Sequence, residues 1–150
     1  MEINIGERII ETDDVNIIAV NSKYFPMRNL YDEGHIVICQ NDCRKVKCFE
    51  GTGHTIAQLE EIVGAMASLF ASKGVSSFVN IRGGYLINID NVREMRINSS
   101  PSGLYFLEAE FQNGRVVTLY KGDRIKYAKS LLNQYRYAER EYLEQSVSAK

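Results

Sequence analysis

Hydrophobic positions recur at helical spacing over one long segment in the middle of the chain. Thr55 and Gln58 form a T-x-x-Q capping box before this segment, and Gly74 follows it where a helix terminator is expected. The pattern predicts a helix from about Thr55 to Ser72 that covers a sheet with one face. The residues expected on that face are Ile56, Leu59, Ile62, Val63, Met66, Leu69 and Phe70.

Shorter apolar runs on both sides of this helix have the alternation and the β-branched content of strands. Clusters of Gly, Asn, Asp, Ser and Pro separate them, and Asn113-Gly114 is a strong hairpin-turn signal. The order of elements predicts a mainly β fold with helices, of the α+β class, made of short antiparallel sheets. The predicted strands are Glu2 to Ile5, Val15 to Val20, His35 to Cys39, Lys45 to Phe49, Val92 to Ile97, the alternating run Tyr105 to Phe111, and Arg115 to Tyr120.

The most distinctive stretch is FVNIRGGYLINIDNV, from Phe78 to Val92. Its dense apolar residues predict a half-buried strand, and Gly83-Gly84 predicts a bulge or a bend within it. Asn88 and the acidic and amide residues after it are expected to hydrogen-bond local backbone and to end the strand. The stretch therefore predicts a strand, a kink and a turn.

This stretch resembles the signature of the LytTR family of bacterial DNA-binding domains, which runs roughly Phe-Val-Arg-x-His-Arg-Ser-Tyr-Leu-Val-Asn. The sequence departs from that pattern at Asn80, Arg82 and Gly83, in the polar part that faces DNA in the family. The resemblance covers about residues 17 to 134 and implies a LytTR-like arrangement of short sheets around one packed helix. The matching residues are Phe78, Val79, Tyr85, Leu86, Ile87 and Asn88.

The resemblance implies a stand-alone, sequence-specific transcriptional regulator that contacts duplex DNA through three loops and has no receiver domain. Phosphate contacts would supply most of the affinity, and Arg82 would read a guanine. The alternative is a degenerate LytTR-like domain that now acts as a protein–protein interaction module. The residues expected at DNA are Asn41, Arg44 and Lys45 in the first hairpin, Asn80, Arg82 and Gly83 in the signature stretch, and Lys121 and Arg124 near the last returning strand.

Charge is unevenly distributed, although the net charge of the 150 residues is only −1. Residues 1 to 34 carry three Lys or Arg against seven Asp or Glu, whereas residues 113 to 140 carry seven against two. A basic C-terminal third could bind phosphate locally despite the nearly neutral total, and a solvated surface of mixed charge is the alternative.

From Asp123 onward the pattern predicts a C-terminal helix that continues through about Tyr142. Three regions are therefore expected: added strands over residues 1–16, the LytTR-like domain over 17–134, and a helical extension over 135–150. The extension is expected either to pack on its own domain or to pair with a second copy, so a homodimer is possible.

No arrangement of nucleophile, base and cofactor motif is recognisable, so the chain is not expected to be an enzyme and no cofactor or small-molecule substrate is expected. The three cysteines have a spacing that is not typical of metal sites, and reduced thiols are expected. Because no apolar run is long enough to span a bilayer, a cytoplasmic protein without a membrane partner is expected. The cysteines are Cys39, Cys43 and Cys48.

Overall fold

The computed structural model describes residues 1–21, 29–81 and 84–148, with side chains through Gln145. These residues form mainly β structure with two helices and three small antiparallel sheets, so the predicted α+β class is confirmed. The chain divides into two compact units, Met1–Asn88 and Ile89–Lys150.

The first unit contains one helix and two of the sheets. A two-stranded sheet pairs β1 with β2, and a five-stranded sheet has the order β5-β4-β3-β7-β6, with every neighbouring pair antiparallel. The elements are β1 (Glu2–Ile5), β2 (Arg8–Glu11), β3 (Val15–Asn21), β4 (His35–Gln40), β5 (Lys45–Cys48), α1 (Ile56–Ser72), β6 (Phe78–Ile81) and β7 (Tyr85–Asn88).

Helix α1 begins and ends where the sequence predicts. The Thr55 hydroxyl accepts from the Gln58 backbone N–H and the Gln58 side chain accepts from the Thr55 N–H, which completes the capping box. At the other end Gly74 has a φ of 88°, and its N–H donates to the Ala71 carbonyl, as in a Schellman cap. The prediction of this helix is confirmed.

The buried face of α1 is narrower than predicted. Leu59 and Val63 are fully buried and Met66 nearly so, whereas Ile62 is only half-buried. Leu69 is 44% exposed, so its assignment to the core was wrong. Helical spacing gives the angle at which a side chain projects, but it does not show how far the sheet extends beneath the helix.

The first strands contribute to the core of this unit and include one strand that the sequence did not predict. Ile10 in β2 is buried with Ile3 and Ile5 in the same hydrophobic cluster as Ile18 and Leu59. No strand was predicted over Arg8–Glu11, because this segment has a single buried side chain and too little alternation of apolar and polar residues to be recognised.

The signature stretch forms a hairpin, and the prediction of one kinked strand was wrong. Strands β6 and β7 pair with each other from Phe78–Asn88 to Ile81–Tyr85. Asn88 is 2% exposed, and its side-chain amide donates to the distant carbonyls of Val15 at 2.9 Å and Thr12 at 3.4 Å. Through these two hydrogen bonds Asn88 connects the end of β7 to the segment before β3, whereas bonds to local backbone were expected.

The second unit contains a three-stranded sheet of order β10-β9-β8 and a long helix that packs on β8 and β9. The sheet buries Leu107, Ala109 and Phe111, and the helix buries Ala128, Leu131, Leu132 and Tyr135. Neither described helix combines the length and the apolar character needed to cross a bilayer. The elements are β8 (Val92–Ser99), β9 (Tyr105–Phe111), β10 (Val116–Gly122) and α2 (Ile125–Ser148).

Helix α2 continues through Tyr142, as predicted. Its C-terminal half also contacts the rest of the second unit. Tyr135 is 1% exposed, and the Tyr142 hydroxyl donates to the Asp90 carboxylate at 2.8 Å. These two contacts show intramolecular packing of the region predicted as an extension. The domain limits of 1–16, 17–134 and 135–150 stay predictions.

Candidate nucleic-acid interface

The turn between β4 and β5 carries the first group of residues predicted to contact DNA, and backbone hydrogen bonds fix its conformation. The Gln40 N–H donates to the Arg44 carbonyl at 2.9 Å, and the Cys43 N–H donates to the Gln40 carbonyl at 3.0 Å. The Asn41 N–H donates to the Asp14 carbonyl at 2.7 Å, which ties the turn to the segment before β3. Asn41, Arg44 and Lys45 are exposed, so this turn brings three polar or basic side chains together on a defined support.

Arg44 already has an acidic neighbour within its own turn. The Asp42 carboxylate accepts from the Arg44 backbone N–H at 2.9 Å and lies 3.3 Å from Nε of the same arginine. The two side chains are 81% and 49% exposed, and exposed ion pairs of this kind contribute little stability. A phosphate group could therefore displace Asp42 from the guanidinium at small cost.

Asn80 lies on the other edge strand of the same sheet. Strand β5, which begins at Lys45, forms one edge and β6 forms the other, so about four strand spacings, roughly 19 Å, separate them. Asn80 also faces α1. Its amide nitrogen lies 3.3 Å from the position that a Cβ atom on Gly64 of this helix would occupy. By the pairing register Lys45 lies on the opposite face, so Asn80 and Lys45 do not form one contact surface.

Arg82 and Gly83 lie outside the described residues, and their assignments stay predictions. Their neighbour Gly84 accepts from the Val20 N–H at 3.2 Å, whereas Gln40 pairs with Val15 at the other end of β3. Five residues of β3, about 17 Å, separate these two ends. The β4–β5 turn and Gly84 therefore lie at opposite ends of the five-stranded sheet.

Lys121 and Arg124 belong to the second unit. Lys121 lies within β10, opposite Phe106, and its Nζ is 5.9 Å from the centre of the Phe106 ring. The predicted end of this strand at Tyr120 was wrong, because pairing with β9 continues through Lys121 to Gly122 beyond a bulge between Thr118 and Tyr120. Arg124 is exposed just before α2, where its backbone N–H donates to the Tyr120 hydroxyl at 3.1 Å.

Two other arginines of the second unit are occupied by carboxylates of their own sheet. Arg96 lies within 4 Å of Glu94, Glu108 and Glu110, and the hydrogen bond to Glu110 raises the pKa of its guanidinium although partial burial opposes this. Arg93 also approaches Glu110, at 3.4 Å, and donates to the Gln112 carbonyl. The guanidinium groups of these two arginines are thus already paired with carboxylates of their own sheet.

The cysteines do not converge. Cys39 pairs with Lys45 and Cys48 with Ile36, so the two thiols project from opposite faces of the sheet. Burial raises the pKa of the Cys48 thiol, whereas Cys43 is exposed in the turn with a φ of 71°. Within residues 1–21, 29–81 and 84–145, no three His, Cys, Asp or Glu side chains form a group that could hold a metal ion.

Both histidines belong to the first unit and are engaged in its local structure. Nε2 of His35 is buried and has no partner among the described atoms, and burial together with Lys47 lowers the pKa of this imidazole. Nδ1 of His54 lies 2.5 Å from the Thr52 hydroxyl, and its ring packs edge-on against Phe49. The lowered pKa of His35 favours its neutral form.

Comparison with protein-family models, curated proteins and solved structures gives no match to this chain.

Proposed function

We propose that this chain is a cytoplasmic, sequence-specific duplex-DNA-binding regulator of LytTR type. The observation that carries the proposal is the β4–β5 turn, in which backbone hydrogen bonds hold Asn41, Arg44 and Lys45 exposed at one tip. A turn of this kind can place a guanidinium and an amine on phosphate oxygens without reorganising its backbone. Asn41 adds an amide that can hydrogen-bond phosphate or a base edge.

The division of charge between the two units supports the same proposal. Residues 1–88 contain eight Lys and Arg against eleven Asp and Glu, a net charge of −3, and residues 89–150 contain ten against eight, a net charge of +2. A positively charged unit attracts the phosphate backbone even when the whole chain is nearly neutral. The signature resemblance at Phe78 to Asn88 is the sequence-based support.

A protein-binding module is the second candidate function. The observations that favour it are the net charge of −3 in the first unit and the pairing of Arg44 with Asp42, since both reduce the attraction between the β4–β5 turn and DNA. Such a module would bind through surfaces other than this turn, and it would show no salt-dependent affinity for duplex DNA.

Selection from a random pool of duplexes tests the proposed regulator. The protein is expected to enrich a shared sequence, and Arg44→Gln is expected to weaken binding to the selected duplex by several-fold. Lys73→Gln, which removes an exposed charge at the end of α1, is the control and should bind like the parent. Retention of DNA without any enriched sequence would overturn sequence specificity, and no retention at all would favour the protein-binding module.

A further inference from the structure

The outward side of α2 carries a row of basic residues. Lys126, Lys129, Arg136 and Arg140 are all exposed, and Asn133 lies among them. At 100° per residue these positions fall within one stripe about 80° wide, and at 1.5 Å per residue the stripe is about 21 Å long from Lys126 to Arg140. The helix thus presents four cations along one side.

The opposite side of the same helix is fixed by packing. Ala128, Leu131, Leu132 and Tyr135 are buried, and α2 packs on β8 and β9 of its own unit. Rotation of the helix would expose these apolar side chains to water, at a cost of about 1.5–3 kcal/mol for each large one. The basic stripe therefore stays on the outside.

The four cations of the stripe are not neutralised by carboxylates. No carboxylate among the described side chains lies within 4 Å of the charged nitrogens of Lys126, Lys129, Arg136 or Arg140, in contrast to Arg93 and Arg96 in the adjoining sheet. Glu141, the first acidic residue after Arg140, hydrogen-bonds the Tyr137 hydroxyl and thereby raises the pKa of that tyrosine. The stripe thus presents four cations that form no ion pair with the described carboxylates, and Glu139 and Glu144 are further acidic residues within about one turn of Arg140.

A shallow depression beside the N-terminal half of the stripe, from Lys126 to Asn133, is lined by side chains that can donate hydrogen bonds to phosphate. Ammonium, amide and hydroxyl groups are among the side-chain groups that contact phosphate oxygens in protein–DNA complexes. Duplex DNA carries one negative charge per about 1.7 Å of its axis when both strands are counted, so a duplex length of about 21 Å carries roughly twelve phosphate charges. The lining residues are Lys126, Lys129, Ser130, Asn133, Gln134 and Tyr137.

We propose that this outer face of α2 is a contact surface for the phosphate backbone of duplex DNA, separate from the β4–β5 turn. This inference rests on the proposed function, and it adds the part of the second unit that would contact DNA. The complementary charge favours a polyanion, and the arrangement of the helix favours DNA over a lipid surface. A membrane-binding helix inserts an apolar side into the bilayer, whereas the apolar side of α2 is already buried against the sheet.

The test replaces all four cations with Gln, which removes the charges and keeps a similar helix propensity. Binding of the full chain to a fluorescent duplex of mixed sequence is followed from 50 to 200 mM salt. If the stripe contacts four phosphates, the slope of log K against log salt should become shallower by about 3.6, and affinity at 50 mM salt should fall at least tenfold. The charge control is a double variant with Lys47→Gln and Lys73→Gln. Both lysines are exposed in the first unit, and the control should leave the slope unchanged.

The possible results separate this inference from the proposed function. The first result concerns a parent protein that binds duplex DNA. If the α2 variant then binds with the same salt slope, and a double variant carrying Arg44→Gln and Lys45→Gln does not bind, the α2 surface is overturned while DNA binding stands. If the parent binds no duplex, both proposals fall. Circular dichroism and thermal unfolding establish that the α2 variant is folded. Tighter binding to phosphatidylserine vesicles than to duplex, lost in the same variant, would assign the stripe to lipid and overturn the inference.

Discussion

The side-chain amide of Asn88 donates a hydrogen bond to the backbone carbonyl of Val15, 73 residues earlier in the chain. A second, longer bond reaches the carbonyl of Thr12. Since Asn88 is 2% exposed, water cannot replace it at these acceptors. One side chain at the end of β7 therefore fixes the entry into β3.

Asn88→Ala is expected to destabilise the first unit by about 1–3 kcal/mol, because buried carbonyls would lose their donor. The free energy of unfolding in urea measures the effect. Asn80→Ala, a change on the exposed part of β6, should stay within about 0.5 kcal/mol of the parent. Equal stability of the two variants would show that the Asn88 bonds contribute nothing.

Leu59→Asp should prevent folding of the first unit. Leu59 is fully buried in the core beneath α1, and a carboxylate there would have neither a partner nor water. Leu69→Asp is the matched control on the same helix, since Leu69 is 44% exposed and should tolerate the charge. Circular dichroism and thermal unfolding distinguish the two, and a folded Leu59→Asp variant would contradict the core described above.

Much of the fold could be predicted from local signals. Thr55 with Gln58 marked the start of α1, Gly74 marked its end, and Asn113-Gly114 marked the β9–β10 turn, because each pattern acts through backbone hydrogen bonds within a few residues. These signals are strong because their energetics do not depend on the remainder of the fold.

The features that the sequence did not predict depend on distant parts of the chain. The pairing of β6 with β7 could not be distinguished from one kinked strand, since both have the same apolar run. The buried bonds of Asn88 have no local signature either. For the candidate site, the residue types of the β4–β5 turn were visible, but the separation of Lys45 from Asn80 requires the strand order.

Tyr135→Phe is expected to leave the second unit unchanged or to stabilise it by up to about 1 kcal/mol. The Tyr135 hydroxyl is buried without a partner of hydrogen-bonding geometry among the described atoms, and burial, with a smaller contribution from Glu139, raises the pKa of this tyrosine. Removing an unsatisfied buried hydroxyl removes its desolvation penalty. Thermal unfolding at pH 7 measures the change.

Tyr142→Phe is the control for that experiment. Its hydroxyl donates to Asp90 at 2.8 Å, so removing it should cost about 0.5–1.5 kcal/mol. A larger loss of stability in Tyr135→Phe than in Tyr142→Phe would show that the buried hydroxyl has a partner.

Asp42→Asn should strengthen DNA binding by about two- to fivefold at low salt, in keeping with the small energies of exposed ion pairs. The substitution frees the Arg44 guanidinium from a carboxylate, and the remaining amide oxygen can still accept from the Arg44 N–H that shapes the turn. Fluorescence anisotropy at 50 mM salt gives the ratio of dissociation constants. Glu50→Gln, which removes a carboxylate paired with Lys47, is the control and should change affinity less. Weaker binding by Asp42→Asn would contradict the assignment of Arg44 to phosphate.

The central claim is that the chain binds duplex DNA chiefly through its exposed cations. The most direct measurement is the affinity of the parent protein for random duplex DNA as salt is raised from 50 to 200 mM. We predict that the protein binds at 50 mM salt with a dissociation constant of about 10⁻⁴–10⁻⁶ M or tighter. The logarithm of the affinity should fall linearly with the logarithm of the salt concentration, with a slope that reflects several phosphate contacts. Absence of binding at 50 mM salt, or an affinity that does not change with salt, would contradict it.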